Sequence, residues 1–218
     1  MDERSSICSA LISKSATRYL SPLGLKRKGR SRTWLGDQSW WFSVVEFQPS
    51  GFSVGTSLNV SCMWLWNVKN HISFDEGSHS EVFSPFENEV QFAPVAERLA
   101  LRAAELATKY QRLFDTVQGT SDFYLMNLPV AGWPSFNAAI SHGLAGRVQQ
   151  SRKLFDTWGS GADDNREWVQ AARADSKELM ALVEDRSRFH SVIASRVNRT
   201  RQLHKLAPLP RIDFGLPS

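Results

Sequence analysis

The chain has 218 residues, 42% of them hydrophobic, and a formal net charge of +4, enough to bury a substantial core as one large domain or two small ones. No run of roughly 18 apolar residues offers a membrane span, the opening Met-Asp-Glu-Arg-Ser-Ser lacks the basic region and following apolar run expected of a signal peptide, and two cysteines are too few for a disulfide scaffold. A cytoplasmic protein without membrane contact is expected, with Cys8 and Cys62 as small buried hydrophobes. The charge is segregated: residues 1–33 hold eight Lys/Arg against two acids and 186–218 hold seven against one, while 34–136 hold five against eleven. The ends are therefore complementary to the middle, or they leave basic surfaces for an anionic partner.

Ser5 or Ser6 can cap a first helix with Ile7, Leu11, Ile12, Ala16, Tyr19 and Leu20 at helical spacing, stopped at Ser21-Pro22. A turn-rich basic connection, Leu23 to Gly29, leads into Arg32-Thr33-Trp34-Leu35. Gly36-Asp37 reads as a turn and Trp40 to Gln48 as a buried strand. The next strand alternates, with Leu58, Val60, Cys62, Trp64 and Trp66 on one face and Asn59, Ser61 and Asn67 on the other, as in an antiparallel sheet packed on one side. Five of the eight tryptophans fall between Trp34 and Trp66, either as sheet core or as an aromatic binding face. Short strands are expected near Val82 and Val90.

Pro94 suits the first position of a long amphipathic helix, with Gly119 closing it. A link containing Asn127-Leu-Pro129 and Gly132 separates an α+β domain, 1–119, from a helical portion, 133–207. In the latter, Ala138 to Leu144 and Val148 to Trp158 form a helical hairpin broken at Gly146. The spacing of Gly143, Gly146-Arg147, Ser151 and Phe155 resembles half of a tetratricopeptide unit, in a single copy, so no repeat array is expected. One long or two abutting helices run from Trp168 to Val197, and Pro208 and Pro210 end them. The fold class expected is α+β: an N-terminal helix, a three to five stranded, mainly antiparallel sheet, a long amphipathic helix, then an all-helical portion.

Lys26, Arg27, Lys28, Arg30 and Arg32 beside Trp34, Trp40 and Trp41 could bind a phosphate backbone with aromatic rings stacked on unpaired bases. The alternative is a solvated basic turn with core tryptophans; Arg196, Arg199, Arg201, His204 and Lys205 could extend the same surface. His71, Asp75, Glu76, His79 and Glu81 could supply nitrogen and oxygen ligands to a divalent metal, although no metallohydrolase spacing is present. Asp37 with Glu46-Phe-Gln48 is a faint nuclease-like acid pattern in which glutamine replaces the expected lysine. No Gly-x-Ser-x-Gly elbow appears, and Gly51-Phe-Ser-Val-Gly55 lacks the lysine and helix of a phosphate loop. No cofactor is expected.

The run Leu23-Gly-Leu-Lys-Arg-Lys-Gly-Arg-Ser-Arg-Thr-Trp34, with Val45-Glu-Phe-Gln-Pro-Ser50 and Ser57-Leu-Asn-Val60, resembles an uncharacterised bacterial group, the 4304 family of domains of unknown function. Leu25 stands where that family has phenylalanine, and the resemblance covers about residues 7–115. It implies the same helix-then-sheet order and a bacterial cytosol, and it brings no activity or catalytic residue. The functional expectation is a non-enzymatic binding or interaction protein whose partner is another protein, contacted through the helical hairpin or the sheet edge. The alternative is a nucleic-acid-binding protein or metal-dependent nuclease using the Lys26–Arg32 segment. Oligomeric state is left open.

Overall fold

The computed structural model describes residues 3–129, 132–159 and 166–215. Its order is α1 (Glu3–Leu20), a 3-10 turn (Ser21–Leu23), β1 (Leu25–Arg27), β2 (Thr33–Asp37), β3 (Trp41–Gln48), β4 (Gly55–Trp64), β5 (Glu76–Pro85) and α2 (Glu89–Leu113). Helices α3 (Val117–Met126), α4 (Trp133–Leu144), α5 (Val148–Gly159), α6 (Glu167–Leu182) and α7 (Arg186–Leu203) follow. The class is α+β, with a five-stranded sheet in the order β1-β2-β3-β4-β5. β1–β2, β2–β3 and β4–β5 pair antiparallel.

The chain divides into two compact units. Unit 1 comprises Met1–Met63 and Ile72–Arg112, and unit 2 comprises Trp64–His71 and Leu113–Ser218. In unit 1, α1 and α2 lay Cys8, Ile12, Ala16 and Leu20, and Phe92, Ala96, Leu99, Ala103 and Ala107, on one face of the sheet, against Leu25, Trp34, Val45, Phe47, Leu58 and Val60. Both helices present small residues at helical spacing, which allows close approach to a sheet rich in large side chains.

In unit 2, the helical hairpin has the expected break, Gly146 at φ 79°, a left-handed conformation that glycine enters without strain. The α4 helix is tightly packed: a Cβ on Gly143 would lie 2.7 Å from the Phe189 ring and 2.9 Å from Val183. Trp64 and Trp66 are stacked at 5.0 Å. Trp64 Nε1 donates to Tyr124 Oη at 3.2 Å and Trp66 Nε1 to Asn137 Oδ1 at 3.1 Å, so both buried indole N–H groups are satisfied within the second unit.

Several boundaries differ from expectation for local reasons. The basic connection contains a short edge strand, β1, which three residues could not announce by alternation. β5 runs for ten residues, whereas Val90 lies in a helix. α2 begins at Glu89, because Asn88 Oδ1 accepts from Gln91 N at 2.9 Å and caps it; Pro94 is therefore inside the helix. Gly119 does not close α2. It belongs to α3, where its N–H is capped by Thr116 Oγ1 at 3.0 Å. The final helical stretch is two helices, the second capped by Asp185.

Candidate functional site

The basic run forms the β1–β2 hairpin and its turn. Lys28 N donates to Thr33 O at 2.8 Å, and Ser31 closes the turn through its N–H and hydroxyl onto Lys28 O at 3.1 and 2.7 Å. Arg27 braces the same turn, with Nε donating to Ser31 O at 2.7 Å and Nη2 to Arg30 O at 3.0 Å, and its guanidinium lies 5.6 Å from the centre of the Trp34 ring. Lys26, Arg27, Lys28 and Arg30 are exposed. Arg32 is not part of that surface: it is half-buried, donating to Ser9 Oγ and Gly55 O. On an edge strand, exposed lysines also discourage pairing with another chain.

The tryptophans beside this run are core. Trp34, Trp40 and Trp41 are only 1%, 2% and 1% exposed, which removes them as stacking platforms for bases. Trp34 packs edge-on to Phe47 at 5.4 Å and Trp40 to Trp41 at 6.4 Å. Adjacent residues in a strand point to opposite faces, but Trp40 precedes β3. It sits in a turn where Ser39 has φ 70°, Trp40 N donates to Gln38 O at 2.8 Å and Ser39 N to Asp37 Oδ1 at 3.0 Å.

The acid pattern does not assemble. Glu46 lies opposite Thr33 while Asp37 lies opposite Phe42, four residues apart on β2 and so about 13 Å along the strand. Glu46 and Gln48 instead both accept from Asn59 Nδ2, at 3.1 and 2.9 Å. Of the residues considered as metal ligands, Glu81 pairs with Arg98 at 3.2 Å, Asp75 N donates to Cys62 O at 2.9 Å, and the side chain of His79 lies outside the described residues. Among the described residues no three His, Cys, Asp or Glu side chains are grouped to hold a metal ion. Cys8 and Cys62 are free thiols at 0% exposure, and burial raises both above the usual thiol range, Cys62 strongly, with Glu76 and Asp75 adding to the rise. At the C-terminal end, Arg196 is spent on Asp175 at 2.9 Å, and Arg201, 4% exposed, donates to Ala207 O at 3.1 Å.

One constellation has no sequence signal. In unit 2, His142 Nδ1 lies 2.6 Å from Ser121 Oγ, which also accepts from Arg147 Nη1 at 2.6 Å, and Arg147 pairs with Asp122. Burial, reinforced by the Arg147 cation and partly opposed by Asp122, lowers the His142 pKa to about 4. A serine beside a neutral imidazole has the chemistry of a nucleophile and base. Here, however, Ser121 and His142 are 0% and 1% exposed, so no substrate carbonyl can reach the hydroxyl. The cluster locks α3 to the α4–α5 turn.

Accessible material of a different kind lies next to it. Leu125, Met126, Leu128 and Trp133 are 38%, 75%, 69% and 43% exposed, all within nine residues at the end of α3, the following link and the start of α4. Asn127 ties the link back to the helix, donating from Nδ2 and N to Phe123 O, each at 2.9 Å. The Trp133 ring is supported from behind by Phe136 at 5.5 Å and Trp158 at 5.3 Å.

Comparison with known protein families, with curated proteins and with solved structures finds no match to this chain.

Proposed function

We propose that the chain is a non-enzymatic protein-binding module, that its contact surface is the strip Leu125, Met126, Leu128 and Trp133, and that its partner offers a short apolar segment. The observation that carries this reading is the exposure of four large apolar side chains in nine residues. Exposed large apolar side chains grouped in a short segment are candidates for an interaction site, and tryptophan and methionine are enriched at protein interfaces. Trp133, already braced by Phe136 and Trp158, would lose little rotamer freedom on binding, while Met126 can adapt to the partner's shape. The chemistry argues in the same direction: the Ser121–His142 pair is enclosed and the strand acids are apart. The resemblance over residues 7–115 makes a bacterial cytoplasmic setting part of the proposal.

The test is site-specific photo-cross-linking from Leu128, followed by titration of the purified adduct partner against the native chain and Met126→Glu. A hetero-adduct and a loss of affinity of tenfold or more support the reading. A self-adduct, or an affinity indifferent to Met126→Glu, contradicts it.

A second reading, binding of a nucleic-acid backbone, is favoured by one observation: Lys26, Arg27, Lys28 and Arg30 are exposed together on one hairpin. With Trp34, Trp40 and Trp41 buried it would be backbone contact without base stacking on those rings. Its mark is duplex binding that weakens steeply with salt and is lost in Lys26→Ala/Lys28→Ala/Arg30→Ala.

A further inference from the structure

Arg32 lines a cavity of about 230 Å³ in unit 1, together with Ser5 of α1 and the β3–β4 connection from Pro49 to Gly55. No carboxylate is among the lining residues. The guanidinium is held in place: Nε and Nη2 donate to Ser9 Oγ at 3.1 and 2.7 Å, and Nη1 donates to Gly55 O at 3.0 Å. Ser9 in turn donates to Ser5 O at 2.8 Å, which orients its oxygen toward the arginine.

A guanidinium has five N–H groups. Three are used in these contacts and a fourth faces the Cys8 thiol, leaving one, and Arg32 has no carboxylate partner among the described residues. Such a half-buried cation has surrendered hydration without gaining a counter-charge, and an oxyanion supplies that charge through charge-assisted hydrogen bonds. The connection adds donors of its own. Ser50 Oγ is spent on Phe52 N at 3.1 Å, whereas the N–H groups of Gly51, Ser53 and Val54 donate to no protein acceptor among the described residues.

We propose that this cavity is an oxyanion site that takes inorganic phosphate or the phosphate of a small monoester, with Arg32 as its fixed cation. The volume is below that of a drug-sized pocket, which favours a phosphate carrying at most a few carbons. The site uses the Gly51–Gly55 segment without the lysine and helix of a phosphate loop; its cation comes from across the sheet instead.

The experiment is calorimetric titration at constant ionic strength with inorganic phosphate and, separately, glycerol 3-phosphate. It compares the native chain, Arg32→Lys, Ser53→Asp and the hairpin control Lys26→Ala/Lys28→Ala. Arg32 also joins α1 to the start of β4, so Ser53→Asp, at an exposed position, carries the test where Arg32→Lys does not fold. Saturable binding by the native chain is expected. It should weaken at least tenfold in Ser53→Asp and Arg32→Lys and stay within twofold in the hairpin control. Tighter binding of glycerol 3-phosphate would identify a monoester as ligand, and tighter binding of phosphate the free ion. Absence of saturable binding with both probes, or an equal loss in the hairpin control, would overturn the proposal.

Discussion

Ser121 Oγ lies 2.6 Å from His142 Nδ1 while both side chains are closed to solvent, so a pair with the appearance of catalytic machinery acts as a structural clasp. With His142 neutral, the arrangement that uses every proton has Ser121 donating to Nδ1 and accepting from Arg147. To become charged the imidazole must take a proton on Nδ1, which reverses this bond and leaves Ser121 accepting from both His142 and Arg147.

The clasp makes stability pH-dependent. The folded pKa of about 4 lies below the ordinary histidine value of 6.5, so the unfolded chain binds the proton more readily. This contribution is complete above pH 6.5 and is lost as pH falls from 6.5 toward 4, amounting to roughly 3 kcal/mol. Urea unfolding of the native chain and His142→Gln across that window should show the slope in the native chain and a flatter profile in the variant. Parallel profiles would refute the assignment.

Removing the hydroxyl tests the same clasp from its other side. Ser121→Ala leaves buried Nδ1 and one Arg147 N–H without their partner, at a cost of about 1–3 kcal/mol. Chemical denaturation reads this directly. An unchanged midpoint would mean that the contact contributes nothing.

The tryptophan cluster is expected to behave as core. Trp34→Ala should destabilise the protein by about 3–5 kcal/mol, as for other large core aromatics. Lys26→Ala/Lys28→Ala/Arg30→Ala, all at exposed positions, should move stability by no more than about 0.5 kcal/mol per site. If Trp34→Ala proved neutral, the ring would have to be a surface group.

Gly143 supplies a packing test in unit 2. The Cβ of Gly143→Ala would meet Phe189 and Val183 inside 3 Å, and overpacking of this kind costs about 1–3 kcal/mol. A melting temperature equal to that of the native chain would show that α4 can shift to admit the methyl group.

How far the chain was readable from its residues follows the range of the interactions. α1, β3, β4 and the helical hairpin stand out because a period of 3.6 or 2, or a dense β-forming run, is local information. The start of α2 was also legible, in Asn88-x-x-Gln91, a capping pattern, but Pro94 drew the boundary inward. β1 is only three residues of mixed character and has no period. The basic run read as one surface, yet Arg32 parts from Lys26 to Arg30 because Ser9 and Gly55 O, neither its sequence neighbour, hold it. Ser121 and His142 are 21 residues apart, and only the packing of two helices brings them together. The exposed strip needed the structure too, since Leu125, Met126 and Trp133 have the composition of core.

The measurement that bears most directly on the protein-binding reading is the affinity of the Leu128-cross-linked partner for three purified chains: native, Met126→Glu and Trp133→Ala. Both substitutions should leave the circular dichroism unchanged. Binding should weaken at least tenfold in each, and about 2 kcal/mol or more is the loss expected where Trp133 is the anchoring residue. Equal affinity for all three chains would contradict the reading and remove the strip as the contact surface.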